Sequence, residues 1–144
     1  MSSGNEDTLV LVEERLKVSP SSWEVIEAFV DLIIFDTTML FRGFRAVHRR
    51  IANLPVASHS SDSDVVERLM RALALSCVYY PSRKACLPRS AVLTCMLRRR
   101  GVPAKLILAG RRMPTAAHAW VEIRGIVVND RQDVQKTYGI LDKI

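Results

Sequence analysis

The chain has 144 residues, a length that predicts one domain spanning 1–144 with enough residues to bury a core of its own. Hydrophobic residues make up 49% of the chain and charged residues 25%, which excludes collagen-like, disordered and low-complexity proteins. The formal net charge of +6 favours anionic partners, such as an acidic peptide, a nucleic acid or a phosphate-bearing surface, without choosing among them.

Cysteine usage and hydropathy indicate the compartment. The three cysteines are an odd number, so a complete disulfide framework is excluded and a reducing compartment is favoured. The most apolar stretch, 25–44, is no membrane span, because charged side chains interrupt it: Glu27, Asp31, Asp36 and Arg42. Residues 1–7 are polar and acidic, unlike a signal peptide, and we therefore expect a soluble cytoplasmic protein.

The first part of the chain is predicted to be a tail followed by a helix. Residues 1–20 form the tail, with one short strand at Thr8–Val12, and the helical part covers 21–80. Ser21 or Ser22 can cap a helix that carries Glu24 in its first turn. Apolar residues then recur at helical spacing and predict a core-facing helix or helix pair that bends or ends at Gly43. They are Val25, Ile26, Phe29, Val30, Ile33 and Ile34. Docking of this face against a membrane surface or a partner is the alternative.

A second helix is predicted after a serine-rich linker at 53–64, with Asp62 or a neighbouring serine as its cap. It is expected to end near Tyr79–Pro81, because the residue before a proline avoids the helical region. Its buried stripe is Val65, Val66, Leu69, Met70, Leu73 and Ala74.

The part 81–144 is predicted to hold one helix followed by an antiparallel sheet. The helix starts near Cys86 and ends at Arg98–Arg100, where cations suit the helix dipole and the following Gly101 and Pro103 stop the helix. The apolar period then changes to two, which predicts strands at Ala104–Ala109, Ala116–Ile123 and Ile126–Asp130, with a further edge at Tyr138–Leu141. Helices followed by antiparallel strands indicate the α+β class.

Three residues are candidates for catalysis by their positions: Cys86, His118 and Asp130. A cysteine nucleophile requires an imidazole within hydrogen-bond reach and a third group that orients the imidazole. Cys86 is expected in the first turn of its helix, where the dipole favours a thiolate. A zinc site built from the same three residues lacks the paired CxxC or HxxxH spacing, so we expect neither a metal nor a cofactor.

The turn between the second and third predicted strands decides whether His118 and Asp130 meet. A two-residue turn at 124–125 would set Ala119 opposite Asp130 and leave His118 on the other face. A three-residue loop at 123–125 would pair His118 with Asp130 and put a glycine in the left-handed position that this loop type prefers. We predict the three-residue loop.

The remaining candidates have plainer interpretations. Cys77 and Cys95 are interpreted as buried helix residues, and Cys95 lies nine residues from Cys86, on the opposite face. Trp120 and Val128 are expected to share a face with the His–Asp pair and to pack beneath it rather than line the cleft. An aromatic content of 6% is low for a nucleic-acid-binding surface. The arginines are therefore interpreted first as a solvent-exposed face and second as a docking site for an acidic partner.

Four blocks of the sequence resemble the lasso-peptide leader peptidases, which are bacterial maturation proteases with a transglutaminase-like, papain-related core. The blocks are CLPRS at 86–90, LRRRGVPA at 97–104, AHAWVE at 117–122 and VVND at 127–130. The resemblance covers about residues 80–132 and implies a nucleophile-bearing helix packed on a small antiparallel sheet. It also implies Cys86 as nucleophile, His118 as general base and acid, and Asp130 as the group that orients the ring.

The same resemblance implies a substrate and partners. In that family the enzyme removes the leader of a ribosomally made precursor peptide, and an ATP-dependent cyclase then joins the exposed amine to an acidic side chain. Residues 1–20 are too few for the leader-recognition domain that some members carry, so a separate recognition protein is expected, with the cyclase as a further candidate partner. Where the family often has tryptophan before the nucleophile, this chain has Tyr79 and Tyr80. The residues themselves leave two alternatives open: an acyl transferase of the transglutaminase type, which uses the same triad, and a non-catalytic basic scaffold that docks peptide or nucleic acid.

Overall fold

The computed structural model describes residues 18–56, 63–81 and 86–144, so the predicted strand Thr8–Val12 lies outside the described residues. The helices that come first are α1 (Ser22–Arg42), α2 (Phe44–Ala52), α3 (Ser63–Tyr79) and α4 (Cys86–Arg99). They are followed by β1 (Ala104–Arg111), β2 (Ala116–Ile123), β3 (Ile126–Val127), a short α5 (Val134–Thr137) and β4 (Gly139–Lys143). The predicted α+β order, helices before antiparallel strands, is confirmed.

The two ends of α1 follow from local sequence. Ser21 is the N-cap: its side chain accepts a hydrogen bond from the Glu24 N–H, and the Glu24 carboxylate accepts one from the Ser21 N–H. This reciprocal capping box satisfies two amide groups that a helix start otherwise leaves unpaired. At the other end Gly43 has a φ of 71°, a left-handed conformation that suits glycine, and it separates α1 from α2 as predicted.

The predicted core face of α1 is wrong for half of its members. Ile26, Val30 and Ile33 are exposed, at 53%, 45% and 44%. The residues of α1 that are buried instead are Glu24, Ala28, Asp31, Leu32 and Phe35. The reason is electrostatic, because α1 turns its acidic side toward arginines at the end of α4. Within the described ranges, no helix is both long enough and apolar enough to cross a membrane.

Those arginines hold α1 and α4 together. Arg99 donates two hydrogen bonds to Asp31, at 2.5 and 3.0 Å, and Arg100 donates to Glu27 at 2.6 Å. Fork-shaped guanidinium–carboxylate pairs of this kind are the stronger class of charged hydrogen bond. The arginines therefore fix the packing of two helices, in addition to suiting the helix dipole.

The C-terminal end of α4 closes as the sequence predicts. Gly101 has a φ of 76°, its N–H donates to the Arg98 carbonyl, and the Val102 N–H donates to the Leu97 carbonyl. This pair of bonds is the Schellman motif, which satisfies carbonyls that a helix end leaves unpaired. The motif turns the chain directly into β1.

The sheet has the strand order β3–β2–β1–β4, with antiparallel pairing throughout. One face packs against the helices in the larger core, where Met96, Leu97 and Leu106 are fully buried. The other face carries a smaller cluster around Trp120, closed by Val134 of α5 and by Ile107, Ala109, Val127 and Tyr138. The packing role predicted for Trp120 is confirmed, but Val128 packs against the larger core, so the predicted shared face of these two residues is wrong.

The predicted register between β2 and β3 is also wrong. Ile123 pairs with Ile126 across a two-residue turn, Arg124 and Gly125, whose φ values are 52° and 82°. Two left-handed residues form the turn type whose twist matches antiparallel strands. The run 126–128 consists of three successive branched apolar residues, so its pattern contains no alternation that could fix the register.

The ion pairs between α1 and α4 predict an acid-sensitive contribution to stability. The hydrogen bond from Arg100 lowers the pKa of the Glu27 carboxyl below its ordinary 4.5, and this effect outweighs burial, which raises it. A carboxylate with a lowered folded-state pKa contributes stability above its unfolded pKa and loses it as the pH falls. We expect Glu27→Gln to flatten the decrease in melting temperature below about pH 4.5, measured by circular dichroism.

The matched control is Glu67→Gln. Glu67 pairs with Arg71 one helical turn away on α3, and the two side chains are 51% and 35% exposed, more than those of Glu27 and Arg100. Exposed pairs contribute roughly 0 to 1 kcal/mol, so this variant is expected to follow the wild-type pH dependence. A Glu27→Gln protein whose melting temperature falls with acid as steeply as that of the wild type would contradict the prediction.

Candidate active site

The three predicted catalytic residues line one open cavity of about 330 Å³. Cys86 is the first residue of α4 and is exposed, His118 belongs to β2, and Asp130 lies beyond the end of β3. The wall between them is formed by side chains of α3 and α4: Met70, Leu73, Ala74, Arg89 and Leu93. The cavity thus presents a thiol, an imidazole and a carboxylate in a lining of both polar and apolar side chains.

His118 and Asp130 form a short hydrogen bond, with 2.5 Å between Nε2 and Oδ2. The two side chains are about a quarter exposed, at 24% and 26%. The other carboxylate oxygen, Oδ1, accepts a hydrogen bond from the Arg131 N–H at 2.7 Å. Both oxygens of the acid are therefore engaged, and one is fixed on the imidazole ring.

The pair forms although the register from which it was predicted is wrong. The two-residue turn would put Asp130 on the opposite face from His118 only if the strand continued to residue 130. The strand β3 ends at Val127, and residues 128–130 run as bends outside the ladder. The alternation of faces along a strand therefore does not apply to Asp130, which reaches the His118 ring from beside the sheet.

The imidazole is also held by stacking. The rings of His118 and Tyr138 lie 5.0 Å apart at 29°, and the Arg111 guanidinium lies 5.4 Å from the centre of the Tyr138 ring. The Trp120 ring is 6.1 Å from the His118 ring. Aromatic faces and Asp130 together restrict the orientation of the imidazole. Sequence reasoning missed Tyr138, because it lies 20 positions from His118 and no local signal in the sequence indicates the contact.

Two further residues connect the parts of the site and were given no role from the sequence. Ser90 lies one helical turn beyond Cys86, and Asn129 directly precedes Asp130. The Asn129 amide donates a hydrogen bond to the Ser90 hydroxyl at 2.9 Å, which joins α4 to the segment that carries the acid. The sequence signal that could have identified Ser90 and Asn129 was their closeness to Cys86 and Asp130.

The other cysteines lie outside this cavity. Cys95 is buried, and burial raises the pKa of its thiol. Cys77 is partly buried, and burial raises the pKa of its thiol as well. The interpretation of Cys95 as a buried helix residue is confirmed, and Cys86 is the exposed one of the three. In the described part of the chain, no cluster of three or more His, Cys, Asp or Glu side chains is arranged to hold a metal ion.

Comparison with known proteins identifies one family. The family model described as Transglutaminase-like superfamily matches residues 31–142, which include most of α1, all of α2 to α4 and nearly the whole sheet. That superfamily includes cysteine proteases and acyl transferases. No curated protein and no solved structure matches the chain significantly.

The exposure of the three thiols predicts the order in which they react. With iodoacetamide at neutral pH, we expect Cys86 to be carbamidomethylated first, because it is exposed whereas burial raises the pKa of Cys77 and Cys95. Peptide mass mapping over a time course measures the three rates, with the denatured protein as the reference in which the rates converge. Faster labelling of Cys95 than of Cys86 in the folded protein would contradict the described burial.

Proposed function

The chain belongs to the Transglutaminase-like superfamily, and from this premise we propose that it is a cysteine endopeptidase that removes the leader from a lasso precursor peptide. The observation that carries the proposal is the hydrogen-bonded pair of His118 and Asp130 in the cavity that Cys86 also lines. Nucleophile, base and orienting group are the three parts that covalent acyl chemistry at a thiol requires. The resemblance of four sequence blocks to leader peptidases supplies the substrate class.

The first half of the proposed reaction forms a thioester. Because Asp130 engages Nε2 of His118, Nδ1 is the nitrogen left to take the proton of the Cys86 thiol. The sulfur attacks the carbonyl carbon of the leader–core bond, and the carbonyl oxygen becomes an oxyanion. The Cys86 N–H, at the start of α4, is one donor to that oxyanion. Protonated His118 then gives its proton to the departing core amine as the C–N bond breaks.

The second half releases the leader. His118 takes a proton from water, and the oxygen attacks the thioester carbonyl. Collapse of this intermediate breaks the C–S bond, returns the proton to the sulfur and frees the leader as a carboxylic acid. Throughout both halves Asp130 stabilises the imidazolium and fixes the tautomer of the ring, and Tyr138 limits its rotation.

The cavity wall suits a peptide substrate. Apolar side chains from α3 and α4 provide a surface for the leader side chains near the cleaved bond, and Arg89 adds one cation beside the nucleophile. We propose that a separate leader-recognition protein delivers the precursor, and that the lasso cyclase receives the freed amine. Both partners rest on the family resemblance.

An acyl transferase is the second candidate, because the superfamily includes transferases with the same three groups. Up to the thioester the two reactions are identical. They differ in the acceptor, which is water in one case and an amine in the other. A free leader acid among the products supports hydrolysis, and a leader amide or a crosslinked product supports transfer.

Substitution of the nucleophile gives the direct test. We expect Cys86→Ala to lower the rate of leader removal by roughly a thousandfold or more, because the variant cannot form the thioester. The assay mixes a lasso precursor peptide, its leader-recognition protein and this protein, and measures the leader acid by mass spectrometry.

The matched control is Cys95→Ala, which removes a buried thiol that does not line the cavity. It is expected to cost some stability and to keep the chemistry. Cleavage by Cys86→Ala at the wild-type rate would defeat the assignment of the nucleophile. An absence of cleavage by the wild-type protein, with products of amine transfer in its place, would select the acyl transferase.

A further inference from the structure

We propose that Ser90 and Asn129 act as positioning residues for the catalytic groups, a role that rests on the proposed function. They form a side-chain clamp between the helix that carries Cys86 and the segment that carries Asp130. Neither residue is assigned a chemical step. Their effect is on the distance and angle at which His118 and Asp130 face the sulfur.

The clamp begins at the open edge of β2. Beyond β3, the backbone groups of β2 that point toward the cavity have no strand to pair with. The Ala119 carbonyl accepts a hydrogen bond from the Ser90 hydroxyl at 3.0 Å, and the Val121 N–H donates one to Oδ1 of Asn129 at 2.7 Å. Two side chains thus satisfy the groups that a longer β3 would have paired.

The direction of every hydrogen bond in the clamp is determined by donor chemistry. The Val121 N–H can only donate, so the Asn129 oxygen must face it and the amide NH₂ must face Ser90. The Ser90 oxygen accepts from that NH₂, and its single proton goes to the Ala119 carbonyl. Ser90 is 1% exposed, so a polar group left without its partner at this position would be buried.

The clamp touches both halves of the catalytic arrangement. Ser90 lies four residues after Cys86, on the same face of α4, so a rotation of the helix that moves one moves the other. Asn129 is bonded directly to Asp130, and the Val128 N–H donates to the Val121 carbonyl at 3.0 Å just before the chain leaves the sheet. The clamp therefore fixes the backbone position from which the Asp130 side chain extends to His118.

Asn129→Asp is the sharpest variant, because it keeps the shape of the side chain while it removes the donor and adds one negative charge. A carboxylate accepts from the Val121 N–H but cannot donate to Ser90, whose one proton cannot serve both the carboxylate and the Ala119 carbonyl. Ser90→Ala breaks the same clamp from the other side without adding a charge. Agreement between the two variants separates loss of the clamp from the effect of a new charge beside Asp130.

The first readout is steady-state cleavage of the precursor. We expect both variants to lower kcat by roughly 10- to 100-fold and to change KM by about twofold or less, since misplacement by about 1 Å costs rate rather than substrate binding. Asn53→Asp, which makes the same chemical change at an exposed position after α2, is the control and is expected to cleave like the wild type.

The second readout needs no substrate. We expect the rate at which iodoacetamide alkylates Cys86 at pH 7 to fall roughly 10-fold in both variants, because a displaced His118 takes the thiol proton less well. The alkylation rate of Cys95 in the same sample is the internal reference. Circular dichroism and the melting temperature establish that each variant is folded.

The outcomes separate the two proposals. If both variants match the wild type in kcat and in Cys86 alkylation, the clamp is overturned while leader removal stands. If the wild type cleaves no precursor but the variants still slow Cys86 alkylation, the clamp stands and the proposed substrate is overturned. Unfolding of both variants, or equal losses in kcat and in substrate binding, would make the two residues general structural elements and would overturn the positioning role.

Discussion

The candidate site depends on how the open edge of β2 is satisfied. An edge strand presents N–H and C=O groups without partners, and in a buried position each unpaired group is costly. The chain supplies backbone partners to β2 only as far as the Val128 N–H, and the side chains of Ser90 and Asn129 satisfy the groups beyond it. Because the chain leaves the sheet at that point, a cavity opens beside β2 instead of a continuous third strand.

The helix α4 connects this edge to the rest of the molecule. It is exposed at Cys86, buried from Ser90 to Arg98, and held at its far end by ion pairs with α1. A buried guanidinium is costly unless its donors are satisfied, and Arg98 donates to the carbonyls of Ala104 and Ile51 at 2.8 and 2.7 Å. The end of α4 opposite to Cys86 is thus anchored by buried polar contacts and ion pairs.

Features with local signals could be predicted from the sequence, and features set by distant contacts could not. The end of α4 follows from the glycine that stops the helix, and the bounds of β2, Ala116–Ile123, follow from alternation within the segment. The buried face of α1 depends on ion pairs with residues about 70 positions away, which outweigh its apolar periodicity. The β2–β3 register could not be read, because 126–128 are apolar throughout and the side chain of Asn129 replaces a backbone acceptor.

The meeting of His118 with Asp130 therefore has a different physical origin from strand pairing. In the observed register, the alternation of side chains along two paired strands would place His118 and Asp130 on opposite faces of the sheet. The pair forms because the strand ends at Val127, so this alternation does not extend to Asp130. The position of the Asp130 carboxylate is then set by the geometry of a short bend, which is held at one end by β2 and at the other by a hydrogen bond that the carboxylate accepts from the Arg131 N–H. A site specified in this way tolerates changes in the exposed turn at 124–125 more readily than changes in the polar side chains that hold the bend.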